Sequence, residues 1–398
     1  KTIPENEQIY VYEDGVFKDN AESLIKEETQ KMKSNCKNSF VKEVIGTIIR
    51  STYLTSKEEF DNYPNYINLN NGIYNLTTGE LEEHTPEKLF RYKLNVNYDP
   101  NAKCYNFMKF LSDVLPNDSI NQERVIEMFA STLWLDSRLE KAFMLIGSGR
   151  NGKSITLMTL QDIIGYRSIS NVSIHDLINN RFKLAKLEGK LLNIYPDIRA
   201  REIEESGVLK PIISGERITV ENKMEKPHEI TNHAKLIFSA NQLPTLNTSS
   251  DGDFRRWFVI EFNQKFEGEN QDTKLFEKLT LEEEKSGILN LMIDRLKLMK
   301  ENGNYSYEQS VEEVREIWES KSNSAYRFIQ SRLKIDALGS IPVSKMSEEY
   351  EQYCIQNKLV VKSSHVFSST LKRLFPNAES IQRKIEGINQ RVWSGVSL

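Results

Sequence analysis

The sequence predicts an α/β chain: a central parallel sheet entered by a glycine-rich loop, an N-terminal mixed α/β region before it and a C-terminal winged helix after it. Three observations predict this. Between Ala142 and Phe262 the apolar residues come in short runs, Ala142 to Ile146, Leu191 to Tyr195, Leu236 to Ser239 and Phe258 to Ile260, which read as strands buried on both faces. The first run leads into Gly147-Ser148-Gly149-Arg150-Asn151-Gly152-Lys153-Ser154, followed by a helical pattern from Ile155 to Ile164. Past Asp336 the order is helix, helix, strand pair, with a local charge opposite to that of the whole chain.

At 398 residues the chain is too long for one ordinary hydrophobic core, so two or three domains are expected. No apolar run approaches the ~20 residues of a membrane span, which predicts a soluble protein with no membrane partner, and the three scattered cysteines suit a reducing cytoplasm. The net charge of −4 gives no global sign of nucleic acid, so any such surface has to be local. Cys36, Cys104 and Cys354 are odd in number and far apart, which argues against a disulfide framework and against zinc. His228 and His233 lack Cys or acidic partners at ligand spacing. The chain begins at Lys1 without a charged-then-apolar leader and reads as a piece of something longer.

The N-terminal region, taken as residues 1–115, opens with a helical pattern from Ala21 to Thr52 whose Leu24, Val41, Val44, Ile45, Ile48 and Ile49 suit packing. Ile67 to His84 reads as short strands punctuated by Asn71-Gly72 and Thr78-Gly79, and Phe90 to Val96 as a further strand. Helices are expected from Cys104 to Val114 and from Gln122 to Leu135. The core is taken as residues 116–300, a helical connector as 301–335 and the winged helix as 336–398. Long helical patterns run from Lys274 to Lys300, with Glu282 to Glu284 on a solvated face, and from Gln309 to Leu333. The tail reads as helices Val343 to Asn357 and Val366 to Phe375, then strands around Ile381 to Trp393.

The glycine-rich loop is G-x-x-x-x-G-K-[ST] in the strand, loop, helix setting that a phosphate-binding loop requires. Gly147, Gly149 and Gly152 let main-chain N–H groups curl around phosphate oxygens, and the helix N-terminus adds the positive end of its dipole. Asn151 and Ile155 are counted in the same nucleotide site. Lys153 is expected to reach the β and γ phosphates of ATP, and Ser154 to hold Mg²⁺.

Hydrolysis also needs a carboxylate for Mg²⁺ and water, a polar sensor on a neighbouring strand and an arginine for transition-state charge. The run Leu191 to Tyr195 ends at Asp197, at the carboxyl edge of the sheet where ligands bind. Lys235 to Ala240 ends at Asn241, whose amide can meet the γ-phosphate or the attacking water. Arg255 and Arg256 stand just before the next strand.

The series GSGRNGKS, LLNIYPD, LIFSANQLP and GDFRRWFVIEF resembles the superfamily 3 helicase core of phage, plasmid and viral replication proteins, and above all the phage/plasmid primase C-terminal helicase family, which includes poxvirus primase-helicases. The segments INLNNGIYNLTTGELEEHTPE and YDPNAKCYNFMKFLSDVL extend the likeness upstream, so that it covers about residues 66–398. The resemblance implies an AAA+-like core closing into a hexameric ring, with ATP between subunits and Arg255 or Arg256 serving the neighbour's nucleotide. It also implies a β-hairpin that projects into the channel and grips single-stranded DNA. Arg217 to Glu221 and Glu229 to Thr231 flank such a tip, and Lys223 and Lys226 would meet phosphates without regard to sequence. The family's acidic motif often has two adjacent carboxylates, whereas Asp197 stands between Pro196 and Ile198. The general base stays open, with Glu202, Glu204 and Glu205 close in sequence.

In the tail, Lys358, Lys362, Lys372, Arg373, Arg383, Lys384 and Arg391 stand against Glu379 and Glu386, a local net charge of +5. As a winged helix, Val366 to Phe375 is the recognition-type helix with Lys372 and Arg373, while Arg383, Lys384 and Arg391 lie on the wing, where they can meet duplex DNA. Leu371, Leu374, Trp393 and Val396 read as its small core. Two functions follow: an ATP-dependent replicative DNA helicase, or an ATPase switch that assembles on DNA as an initiator or loader without processive unwinding.

Overall fold

The structure is a computed structural model that describes every residue except 199–202, 204–205, 224–225, 247–249, 268–271 and 386–387. Its centre is a five-stranded sheet ordered, edge to edge, Trp257–Glu261, Ala142–Ile146, Lys235–Ala240, Leu192–Tyr195 and Ile169–Ser170. Trp257 to Glu261 run parallel to Ala142 to Ile146, Lys235 to Phe238 parallel to Leu192 to Tyr195, and Ile169 parallel to Leu192. Ala142–Ile146 and Lys235–Ala240 are buried along their whole length, as continuous apolar runs in a covered parallel sheet require. The α/β fold with a parallel, phosphate-loop-type sheet is therefore the one the sequence predicts.

The chain forms two compact units: Lys1–Ile198, Gly207–Ser239 and Arg256–Glu308 make the first, and Arg199–Ser206, Ala240–Arg255 and Gln309–Leu398 the second. In the first, one apolar cluster joins sheet residues such as Phe143, Ile194 and Phe258 to Phe107 and Val114 of the helix Tyr105–Val114, Phe129 of Ser119–Ser131, Leu160 of Lys153–Ile164 and Leu289 of Glu282–Asn302. Ser119–Ser131 starts earlier than its apolar pattern suggests because Asp118 caps it, accepting a hydrogen bond from the Asn121 N–H.

Several sequence expectations change in detail. The pattern from Ala21 to Thr52 is two helices, Ala21–Met32 and Asn38–Thr52, and that from Lys274 to Lys300 is Leu275–Leu279 and Glu282–Asn302. Gln309 to Leu333 divides into Val311–Ser322 and Ser324–Arg332, because the Asn323 side chain accepts from the N–H groups of Ala325 and Tyr326 and starts a new helix there. Phe90 to Val96 is not a ladder strand. Phe90, Tyr92, Leu94 and Val96 are all buried, as period two predicts, but the backbone bonds singly to scattered partners: Phe17 N–H to Phe90 O, Leu94 N–H to Asn68 O, Asn95 N–H to Ile163 O.

In the second unit, Ile388–Ser397 pairs antiparallel with both Lys334–Pro342 and Glu379–Ile385. The helices Val343–Gln356 and Ser364–Leu374 cover this sheet, and Phe328, Met346, Leu371, Trp393 and Val396 form the core, with Leu374 packed against it. The strand Lys334–Pro342 escapes the sequence reading: only Ile341 of its nine residues is buried, and its pairing shifts register between Ile335 and Ser340.

Candidate functional site

Gly147 follows the last residue of Ala142–Ile146, so the loop leaves the carboxyl edge of the sheet. Its path needs glycine. Gly149 and Gly152 have φ of +95° and +93°, and a Cβ at Gly152 would come within 2.4 Å of Val114 Cγ1. At Gly147 a Cβ would lie 1.8 Å from Asn151 Nδ2. The helix Lys153–Ile164 then begins, with Ser154 exposed in its first turn and Ile155 half-buried.

The Lys153 ammonium is buried and folded back into the loop, donating to Gly147 O at 2.5 Å and to Asn151 Oδ1 at 3.2 Å. Burial lowers its pKa, and the charge of Asp197 acts in the opposite sense. Asp197 follows Leu192–Tyr195 in a left-handed conformation, φ +54°, which turns the chain out of the sheet. Its N–H donates to Ser239 Oγ at 3.3 Å, and the next N–H, of Ile198, to Ser239 O at 2.9 Å. Lys153 and Asp197 are thus electrostatically linked at one edge of the sheet. The set fits a magnesium nucleotide: a glycine cradle with open space above Gly149, a helix N-terminus, a lysine, an exposed hydroxyl and a carboxylate.

The two arginines are not equivalent. Arg256 is buried, paired with Glu140 at 3.1 Å, its Nε donating to Ser214 Oγ at 3.2 Å. Because Trp257 lies opposite Ala142 and Glu261 opposite Ile146, Arg256 enters the sheet about 15 Å from the edge that carries the loop. Arg255 is exposed, at the end of the short helix Asp251–Phe254, which Ser250 and Asp253 fix through a capping box. Asn241 directly follows Lys235–Ala240 and belongs, with Arg255, to the second unit. Glu202, Glu204 and Glu205 lie outside the described residues.

The anticipated hairpin is present: Arg217–Val220 pairs antiparallel with His228–Thr231, and Lys223 and Lys226 are exposed between them. Met224 and Glu225 at its tip lie outside the described residues. The sequence reading misses the helix Arg181–Leu184 beside Arg217–Val220. Arg181 pairs with Glu221 at 2.8 Å and lies 5.3 Å from the ring centre of exposed Phe182. Only Asn180, which caps this four-residue helix, marks it in the sequence.

In the tail, Lys372, Arg383, Lys384 and Arg391 are exposed. Lys384 and Arg391 share one face of the strand pair and Arg383 lies on the other, since Gln382 is opposite Arg391 and Arg383 opposite Gln390. Arg373, also exposed, pairs with the buried Glu319 and packs over Tyr326. Among the described residues no helix is long and apolar enough to cross a membrane, and no group of three or more His, Cys, Asp or Glu could hold a metal ion.

Residues 145–256, from the phosphate-loop strand to Arg256, match the profile described as "Family of unknown function (DUF5906)", and residues 2–116 that described as "D5 N terminal like". The chain is 26% identical over 255 residues to "Putative helicase L207/L206" of Acanthamoeba polyphaga mimivirus, a match covering 61% of this chain and 26% of the relative. It is 23% identical over 244 residues to "Putative helicase 121R" of Invertebrate iridescent virus 3, covering 54% and 25%. The chain resembles viral helicase proteins. It spans about a quarter of the length of these relatives. Among solved structures, "The apo structure of NrS-1 C terminal region (305-718)" superposes with a TM-score of 0.58 at 14% identity, covering 99% of this chain and 95% of that one, a likeness of fold.

Proposed function

We propose that this chain is the motor of a superfamily 3 type DNA helicase from a mobile element, of the phage/plasmid primase C-terminal class, hydrolysing ATP in a hexameric ring that translocates on single-stranded DNA. The observation that carries this reading is the buried Lys153, folded into a glycine loop that leaves the carboxyl edge of a parallel sheet, with Asp197 following the strand Leu192–Tyr195 at the same edge. On this reading Gly147, Gly149, Asn151, Gly152, Lys153 and Ile155 form the nucleotide site. Ser154 and Asp197 would hold Mg²⁺, which would supply charge neutralisation for the transferred phosphoryl group. Asn241 senses the γ-phosphate or water. Arg255 completes the neighbouring subunit's site, a role that suits an exposed guanidinium better than the buried Arg256.

Lys223 and Lys226 grip the strand. Residues 336–398 act as a winged helix, with Lys372 and the wing face that carries Lys384 and Arg391 turned to duplex DNA, and Arg383 on the opposite face of the wing. The test is ATP hydrolysis with and without single-stranded DNA, together with strand separation of a forked duplex. DNA-stimulated hydrolysis with unwinding is the expected result. Stimulated hydrolysis without unwinding would favour an initiator or loader, and failure to hydrolyse ATP on DNA would overturn the motor reading.

A further inference from the structure

The phosphate loop is fastened from outside by the segment that follows Trp257–Glu261. Phe262 N–H donates to Ile146 O at 2.7 Å, Phe266 N–H to Arg150 O at 2.8 Å, and the Asn151 side chain closes the set by donating from Nδ2 to Phe262 O at 2.9 Å. Asn151 is buried. With its Nδ2 committed to a carbonyl, its Oδ1 is turned to the Lys153 ammonium, 3.2 Å away. Aspartate has the same shape but no donor for Phe262 O, and alanine has neither group. The same carboxamide accounts for Gly147: a Cβ there would meet Asn151 Nδ2 at 1.8 Å and Phe262 O at 2.4 Å, so the first glycine of the motif makes room for the tether.

We propose that Asn151 is a positioning residue whose carboxamide ties the phosphate loop to the end of Trp257–Glu261 and parks the Lys153 ammonium where an incoming triphosphate collects it. The inference rests on the phosphate-loop reading of residues 147–154. Lys153 is a buried cation whose hydrogen bonds to Gly147 O and Asn151 Oδ1 go to neutral acceptors. A phosphate oxygen makes a stronger, charge-assisted bond and takes the ammonium over, while the loop stays tethered.

The test measures ATP turnover and Mg-ADP affinity for wild type, Asn151→Ala and Asn151→Asp at pH 7.5, with hydrogen exchange followed at the amides of Phe262 and Phe266. Both variants should raise KM and the Mg-ADP Kd about tenfold, the value of one lost buried hydrogen bond, while kcat at saturation stays within about threefold. Exchange at both amides should speed up in the variants. A loop that has merely lost its fold would lower kcat as well, so that pattern overturns the proposal, as does wild-type affinity with unchanged exchange in Asn151→Ala.

Two measurements cover the case in which neither variant folds. Mg-ADP should slow exchange at Phe262 and Phe266 in the wild-type protein, and Phe266→Pro, which removes the second tether, should raise KM. Absence of both effects rejects the tether. A wild-type protein that binds no nucleotide would instead sink the phosphate-loop reading itself.

Discussion

Arg256 is paired with Glu140 across 3.1 Å, each residue lying just outside the amino-terminal end of one of two adjacent strands. Arg255, its chain neighbour, is exposed. Arg256→Ala should therefore lower the melting temperature, by an amount equivalent to roughly 1–3 kcal/mol given that Glu140 is partly solvated. Arg255→Ala should cut kcat at least about a hundredfold and lower melting less than Arg256→Ala. Calorimetry and steady-state kinetics on both variants decide between them, and the reverse pattern would reassign the finger to Arg256.

Lys153→Met should abolish hydrolysis without loss of stability. Burial lowers the pKa of this ammonium, so the fold works against its charge, and an apolar side chain of similar length relieves that cost. The expected result is a turnover loss of about a thousandfold or more with a melting temperature equal to or above wild type.

The hairpin variant Lys223→Ala/Lys226→Ala should stop strand separation while keeping part of the basal ATPase. Each lost phosphate contact reduces the slope of log affinity against log salt by roughly 0.7 for a single strand, so about 1.4 is expected for the pair. Salt-dependent binding to a fluorescent oligonucleotide measures it, and an unchanged slope would remove these lysines from the DNA path.

Stability should rise with pH between about 8 and 10.5 through Lys235. Burial pushes this ammonium down to about 8, against its ordinary value of 10.5. Below pH 8 both folded and unfolded chains carry the proton and the fold bears the full cost of the buried charge. Between the two values the unfolded chain binds more protons, so stability increases with pH. Lys235→Met should flatten that part of the melting curve against pH. A persisting slope would place its origin elsewhere.

The sheet and the glycine-rich loop were legible because both are written locally: continuous apolar runs such as Ala142 to Ile146, and glycines, two of which, Gly149 and Gly152, have positive φ. The hairpin carrying Lys223 and Lys226 was legible only through the family resemblance, which implies a strand, basic tip and strand there. What stayed hidden depends on partners distant in sequence. Nothing near Arg256 announces Glu140 or Ser214, and nothing near Arg373 announces Glu319. The tether from Asn151 to Phe262 joins residues 111 positions apart. Breaks inside long helical patterns, as at Asn323, turn on one side chain preferring to cap over continuing a helix that both flanks favour.

The strand Trp257–Glu261 has a fixed length as well as a fixed composition. One end is anchored beside Glu140 and the other is the post to which residues 146–151 are lashed. A single inserted or deleted residue would exchange the two sides of the strand and carry Phe262 away from Ile146. Descendants of this gene can therefore trade Val259 for other apolar residues, but any change in the count of residues between Arg256 and Phe262 should be purged.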